Sequence, residues 1–121
     1  MIDKDGYYIW KKGEIYAINK DLSTREFTCP CNHPKCIEQR ISKDLIENLV
    51  SLRELVQEPL IVTSGYRCAN YQNDTGDTKI QYKLGNTANI KSTRMQMKDF
   101  VVLASKLFKV IENDNYINIS I

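Results

Sequence analysis

Histidine is nearly absent: His33 is the single one among 121 residues. A site that needs two imidazoles therefore cannot be assembled from one copy of this chain. Charge of one sign is also lacking, since 17 Lys and Arg stand against 15 Asp and Glu, a formal net charge of +2. So balanced a surface sets up no field that would by itself draw in nucleic acid or an anionic membrane. No apolar run approaches the roughly 20 residues of a membrane span, and no span is expected. Met1-Ile2-Asp3-Lys4-Asp5 is not built as a signal peptide. The expected location is the cytoplasm, or a particle assembled there. Repeats and low-complexity linkers are missing too, and a single domain over residues 1–121 is expected.

What is present is ordinary for a globular chain, 42% hydrophobic and 26% charged, except in its cysteines. Three of the four fall within Cys29-Pro30-Cys31-Asn32-His33-Pro34-Lys35-Cys36, and the fourth, Cys68, directly follows a turn motif. Convergence of Cys29, Cys31, Cys36 and Cys68 would satisfy a tetrahedral structural zinc, for which thiolates are favoured ligands. His33 is an alternative fourth ligand. Two other readings stay open: disulfides, with Cys36–Cys68 or Cys29–Cys68 the easiest pairs, and buried free thiols.

Periodicity gives an α+β outline. Gly6 to Ile18 reads as an N-terminal β-hairpin around Lys11-Lys12-Gly13, its Trp and Tyr residues spent on the core. Ser23 and Glu26 have capping-box spacing for one helical turn. Ser42 to Glu58 is the clearest helix, with Ser42 as N-cap and Leu45, Leu49, Leu52 and Val56 on one stripe that Ile46, Val50 and Leu55 widen; Pro59 ends it. Leu60 to Thr63 is expected as a buried strand and Cys68 to Gln81 as a polar loop. The segment around Ala88–Ile90 is a further strand. Ser92 to Val110 is expected as a second helix with Met97, Phe100, Val101, Ala104, Leu107 and Phe108 on its apolar face. The chain ends in a period-two strand over Tyr116–Ile121, with Ile117, Ile119 and Ile121 on one face and Tyr116, Asn118 and Ser120 on the other. An antiparallel sheet with two helices packed against it is the expected fold class.

From about Asp21 onward the chain resembles the zinc D-Ala-D-Ala carboxypeptidase and L-Ala-D-Glu endopeptidase family of bacterial cell-wall and phage lysis enzymes. The family's strand ending in S-G-Y-R is matched by Ser64-Gly65-Tyr66-Arg67, and its L-S-x-x-E-F element by Leu22-Ser23-Thr24-Arg25-Glu26-Phe27. In its S-x-H-x-x-G-x-A-x-D motif, Gly85 falls on the glycine, but Tyr82 stands at the zinc-binding His and Asn89 at the zinc-binding Asp. Its closing D-x-x-H-x-D strand aligns with Asn115 at the general base, Asn118 at the third ligand and Ser120 at the last Asp. A family P-E-H-N tetrad reads Ala69-Asn70-Tyr71-Gln72. The resemblance implies the Hedgehog/DD-peptidase fold without its catalytic zinc.

Zinc hydrolysis needs a metal-bound water and a carboxylate base. Amides at Asn89, Asn115 and Asn118 and a phenol at Tyr82 provide neither. The chain is thus expected to be a pseudo-enzyme with a vestigial site at Tyr82, Asn89, Asn115 and Asn118. A plain reading of those four is a satisfied polar cluster on a sheet face. Arg67, with Ser64 and Tyr66, could still bind a carboxylate such as a stem-peptide terminus, or hold the turn. The expected role is a structural or interaction module of a phage virion, tail or capsid, working through self-association or other virion proteins. The alternatives are a peptidoglycan- or peptide-binding protein without hydrolysis, an active zinc hydrolase with unusual ligands, and a small zinc-stabilised nucleic-acid-binding domain. The last has no recognisable motif and near-neutral charge against it.

Overall fold

The computed structural model of the chain describes residues 5–19, 21–69, 71–72, 82 and 84–121. Its elements in order are β1 (Tyr7–Lys11), a 3-10 turn (Thr24–Phe27), β2 (Glu38–Ser42), α1 (Lys43–Val56), β3 (Leu60–Ser64), β4 (Thr87–Ser92), α2 (Met97–Ala104), β5 (Lys109–Glu112) and β6 (Ile117–Ser120). β1 and β2 form an antiparallel ribbon, and the other strands form a four-stranded antiparallel sheet in the order β3-β4-β6-β5. The fold is α+β.

α1 forms where its sequence directs. Ser42 accepts a hydrogen bond from the Leu45 amide at 3.3 Å and so caps the first turn. Leu45, Ile46, Leu49, Leu52 and Val56 are buried, whereas Leu55 faces solvent. The helix stops before Pro59 because Gln57 takes a left-handed conformation, its amide bonded back to the Arg53 carbonyl at 2.9 Å. The α1 stripe joins Phe27, Ala88, Ile90, Phe100, Ala104, Ile117 and Ile119 in one hydrophobic core. The core therefore lies between the helices and one face of the sheet. The predicted single turn is present too, with Glu26 accepting from the Ser23 amide at 2.7 Å.

Four expectations are corrected. The N-terminal segment does not fold back on itself as a hairpin. Tyr8 and Trp10 pair across from Ile41 and Gln39 of β2 instead, which buries Trp10. The Lys-Lys-Gly turn does close, with the Glu14 amide on the Lys11 carbonyl, but the chain beyond leaves Ile15 and Tyr16 exposed. β3 is an edge strand rather than a buried one, and Ile61 is exposed. After Cys68 the Gln72 amide bonds the Cys68 carbonyl at 3.1 Å, as in a helical turn; residues 70 and 73–81 of the predicted loop lie outside the described residues.

The second helix, 8 residues long, is less than half its predicted length. Ser92 belongs to β4, opposite Leu60, and Lys109 and Val110 belong to β5, opposite Ser120 and Ile119. Sheet pairing overrides the helical spacing at both ends. Phe108 keeps its inward position all the same, because the Ala104 carbonyl accepts from the Leu107 and Phe108 amides and turns the chain tightly.

Glu58 fixes the turn between β4 and α2. Its carboxylate accepts from the Ser92 hydroxyl and from the Arg94 and Met95 amides, the last two at 3.1 and 3.4 Å. The Ser92 hydrogen bond, followed by those from the backbone, lowers its pKa below the usual value. A depressed carboxyl stabilises the fold above its unfolded pKa and loses that contribution as pH falls through its folded one. Acid titration of Glu58→Gln should therefore show less loss of stability below about pH 4.5 than the wild type shows. Equal acid profiles would exclude the role.

Candidate functional site

Two sites adjoin along the segment that follows β3. The first is on the sheet face opposite the core. Asn89 of β4 lies directly across from Asn118 of β6, and Thr87 across from Ser120, so period-two alternation puts Thr87, Asn89 and Asn118 on one face. Tyr82 comes down over them. Its hydroxyl donates to Asn89 Oδ1 at 2.8 Å and accepts from Asn118 Nδ2 at 3.1 Å. Asn118 Nδ2 also lies 2.9 Å from Asn89 Oδ1 and 2.8 Å from Thr87 Oγ1, whose own hydroxyl donates to the Ile119 carbonyl. Tyr82, Asn89 and Asn118 are no more than 5% exposed. Buried polar groups are tolerable because they bond to one another.

Three of the four expected residues therefore meet. Asn115 does not: it is exposed in the turn between β5 and β6, and among the described residues no hydrogen bond links it to the others. The strand begins only at Ile117, after the Asn113 amide has closed the turn on the Tyr116 carbonyl. Thr87 was missed, although its place two residues before Asn89 is a signal for the same face.

Arg67 forms the rim. Its guanidinium lies over the Tyr82 ring at 4.1 Å and near the Tyr71 ring at 5.5 Å, and Nε donates to Ser64 Oγ at 2.9 Å. The Arg67 amide bonds the Tyr82 carbonyl at 3.3 Å. Two glycines let these segments approach. A Cβ on Gly65 would lie 2.5 Å from Phe27 Cα, and the Tyr66 amide bonds the Phe27 carbonyl there. Gly85 has φ +76°, and a Cβ on it would lie 2.7 Å from the Arg40 carbonyl oxygen. Gly85→Ala is expected to cost about 2–4 kcal/mol from strain and clash together, read from denaturant midpoints; a loss under about 0.5 kcal/mol, the scale of a neutral surface change, would rule this out.

The second site is the cysteine cluster. The Sγ atoms of Cys29, Cys31, Cys36 and Cys68 all lie within 4.8 Å of one another, and all four are thiols. Cys68 Sγ is 3.8 Å from Cys29 Sγ and 3.5 Å from Cys31 Sγ. Backbone amides converge as well: those of Cys68 and Tyr71 point at Cys29 and Cys68 sulfur, each at 3.4 Å. Gln39, buried on β2, accepts from the Cys29 amide at 2.8 Å and donates to Cys36 Sγ at 3.4 Å. Nothing in the sequence marks Gln39 for this. His33 is exposed and its Nδ1 accepts from the Lys35 amide; it is not part of the cluster.

The thiols are electrostatically unequal. Burial raises Cys29, and burial with the neighbouring thiols pushes Cys36 up to about 12, against a smaller lowering by Gln39. Burial alone would raise Cys31 too. Hydrogen bonds from the His33 backbone and from the other three thiols outweigh it and bring Cys31 to about 7. Four thiolates this close cannot coexist without a cation, and with one they form a complete ligand set.

Among the described residues no helix is long and apolar enough to cross a membrane. No protein-family model, curated protein or solved structure matches the chain.

Proposed function

We propose that this chain is a non-catalytic domain of the zinc D-Ala-D-Ala carboxypeptidase and L-Ala-D-Glu endopeptidase type, held together by a structural zinc and used as a structural or interaction module, in a phage tail or capsid. The observation that carries the reading is the neutral trio. Tyr82, Asn89 and Asn118 meet on one sheet face, where the family motifs would bring two imidazoles and a carboxylate together, and they hydrogen-bond to each other. A Tyr–Asn–Asn set has no charge to hold a metal and no base to take a proton from water. On this reading, mutual hydrogen bonds stand where the family has metal ligands.

The zinc reading is supported by spacing. Sulfurs bound at about 2.3 Å around a tetrahedral ion lie about 3.8 Å apart, and the Cys68 pairs stand at 3.8 and 3.5 Å. Zinc on Cys29, Cys31, Cys36 and Cys68 would tie the Cys29–Cys36 loop to the start of the Cys68 turn. It lies outside the groove and has no part in hydrolysis.

A second reading, peptidoglycan or peptide binding without hydrolysis, is favoured by Arg67. Its planar guanidinium at the groove rim suits a terminal carboxylate.

One experiment addresses both. The wild-type protein is incubated, in added zinc, with purified peptidoglycan and with short D-Ala-terminated peptides, and new amino and carboxyl termini are counted alongside sedimentation of the protein with the wall. The expected result is no release above a heat-killed control. Metal-dependent release overturns the pseudo-enzyme reading. Co-sedimentation that Arg67→Ala abolishes selects the binding role over the purely structural one.

A further inference from the structure

We propose that the cysteine cluster is a redox-operated clasp: hydrogen peroxide oxidises Cys31, Cys68 closes a disulfide onto it, and the metal is released. This rests on the reading of the cluster as a metal site. The geometry singles out one sulfur. Cys29, Cys36 and Cys68 are at most 7% exposed, whereas Cys31 is half-buried and reachable. Lys12 stands beside it, its ammonium bonded to the Cys31 carbonyl and 3.5 Å from Cys31 Sγ. A cation there stabilises the hydroxide that leaves as the O–O bond breaks. Cys68 Sγ is 3.5 Å from Cys31 Sγ, nearer than it is to Cys29 Sγ at 3.8 Å, so the resolving sulfur is already in place.

The chemistry balances in two steps. The Cys31 thiolate attacks one peroxide oxygen, the O–O bond breaks, hydroxide leaves and a sulfenic acid forms. The Cys68 thiolate then attacks the Cys31 sulfur, the S–S bond forms and a second hydroxide leaves. Each sulfur has lost one electron, and the peroxide has been reduced to two hydroxides that take protons from solvent. Cys29 and Cys36 alone are left, too few donors to keep a tetrahedral ion. A dithiol reductant restores the pair and the site.

The test uses the zinc-loaded wild-type chain, hydrogen peroxide and a chromophoric zinc indicator, with peptide mapping of the product. One zinc is expected per peroxide consumed, together with a Cys31–Cys68 linked peptide pair, both reversed by dithiothreitol. Substoichiometric peroxide with a sulfenic-acid trap should label Cys31 ahead of the other three. Lys12→Met, which leaves every sulfur in place, should release zinc roughly three- to tenfold more slowly to the same end point. Zinc retained in excess peroxide, a first label elsewhere than Cys31, or equal rates for wild type and Lys12→Met would overturn the clasp and leave the metal site standing. A chain that takes up no zinc in the reduced state fails the metal reading itself, and the clasp falls with it.

Discussion

Stripping the zinc proposed for the cysteine cluster is expected to unfold the segments around it and to lower the melting temperature more than any single core substitution would. The reason lies in the composition of that corner. Cys29, Cys36 and Cys68 form their own small cluster with Cys31, Tyr66 and Tyr71, separate from the main core. So little apolar surface cannot offset the conformational entropy of ordering two loops. Structural zinc supplies on the order of 10 kcal/mol of apparent folding free energy in the smallest zinc domains. A domain with an independent core should lose less, on the order of half of that. Circular-dichroism melts with and without a strong chelator, repeated on Cys68→Ser, read the effect. Coincident melts of the treated and untreated protein would contradict it.

Asn118→Asp is expected to destabilise the protein by about 3–5 kcal/mol at neutral pH, although the change is nearly isosteric. The amide nitrogen of Asn118 donates toward Asn89, Thr87 and Tyr82. A carboxylate replaces that donor with an acceptor and sets a charge where the amide was 5% exposed. Burial raises the folded-state pKa of such a group above the ordinary value near 4. The penalty is absent where both states are protonated, appears as pH rises past the unfolded pKa, and is complete only above the folded one. Stability of Asn118→Asp relative to wild type should thus recover on acidification from pH 7 to about pH 4. A variant equally stable at both pH values would show that the face is open to solvent.

Patterns local to one element were legible in the sequence. The Leu45-Leu49-Leu52 stripe, the Ser42 cap and the Ile117/Ile119 alternation each answer to a single segment. The meeting of the four cysteines, and of Tyr82 with Asn89 and Asn118, was legible through spacing and motif resemblance. What depended on a distant partner was not. β1 finds its partner at Glu38–Ser42, a segment whose Glu-Gln-Arg-Ile-Ser has no clear strand alternation until Trp10 and Tyr8 lie against it. β5 was hidden because Leu107 and Phe108 continue a helical apolar spacing that pairing with β6 overrides. Asn115 was misplaced because no local signal says where a strand starts after a turn.

The separation between Cys29 and Cys68, 39 residues, bears on the order in which the molecule assembles. Three of the four sulfurs lie within eight consecutive residues, Cys29 to Cys36. They can gather on an ion before any tertiary structure exists, with solvent or a transient donor in the fourth place. Bringing Cys68 to them in an unstructured chain costs about 3 kcal/mol of loop-closure entropy. In the folding chain β2, α1 and β3 span that interval, and their pairing and packing shorten it. The fourth thiolate then arrives as a product of folding rather than its cause. Ligand exchange at the proposed metal would then be a built-in report of when β3 has reached its place in the sheet.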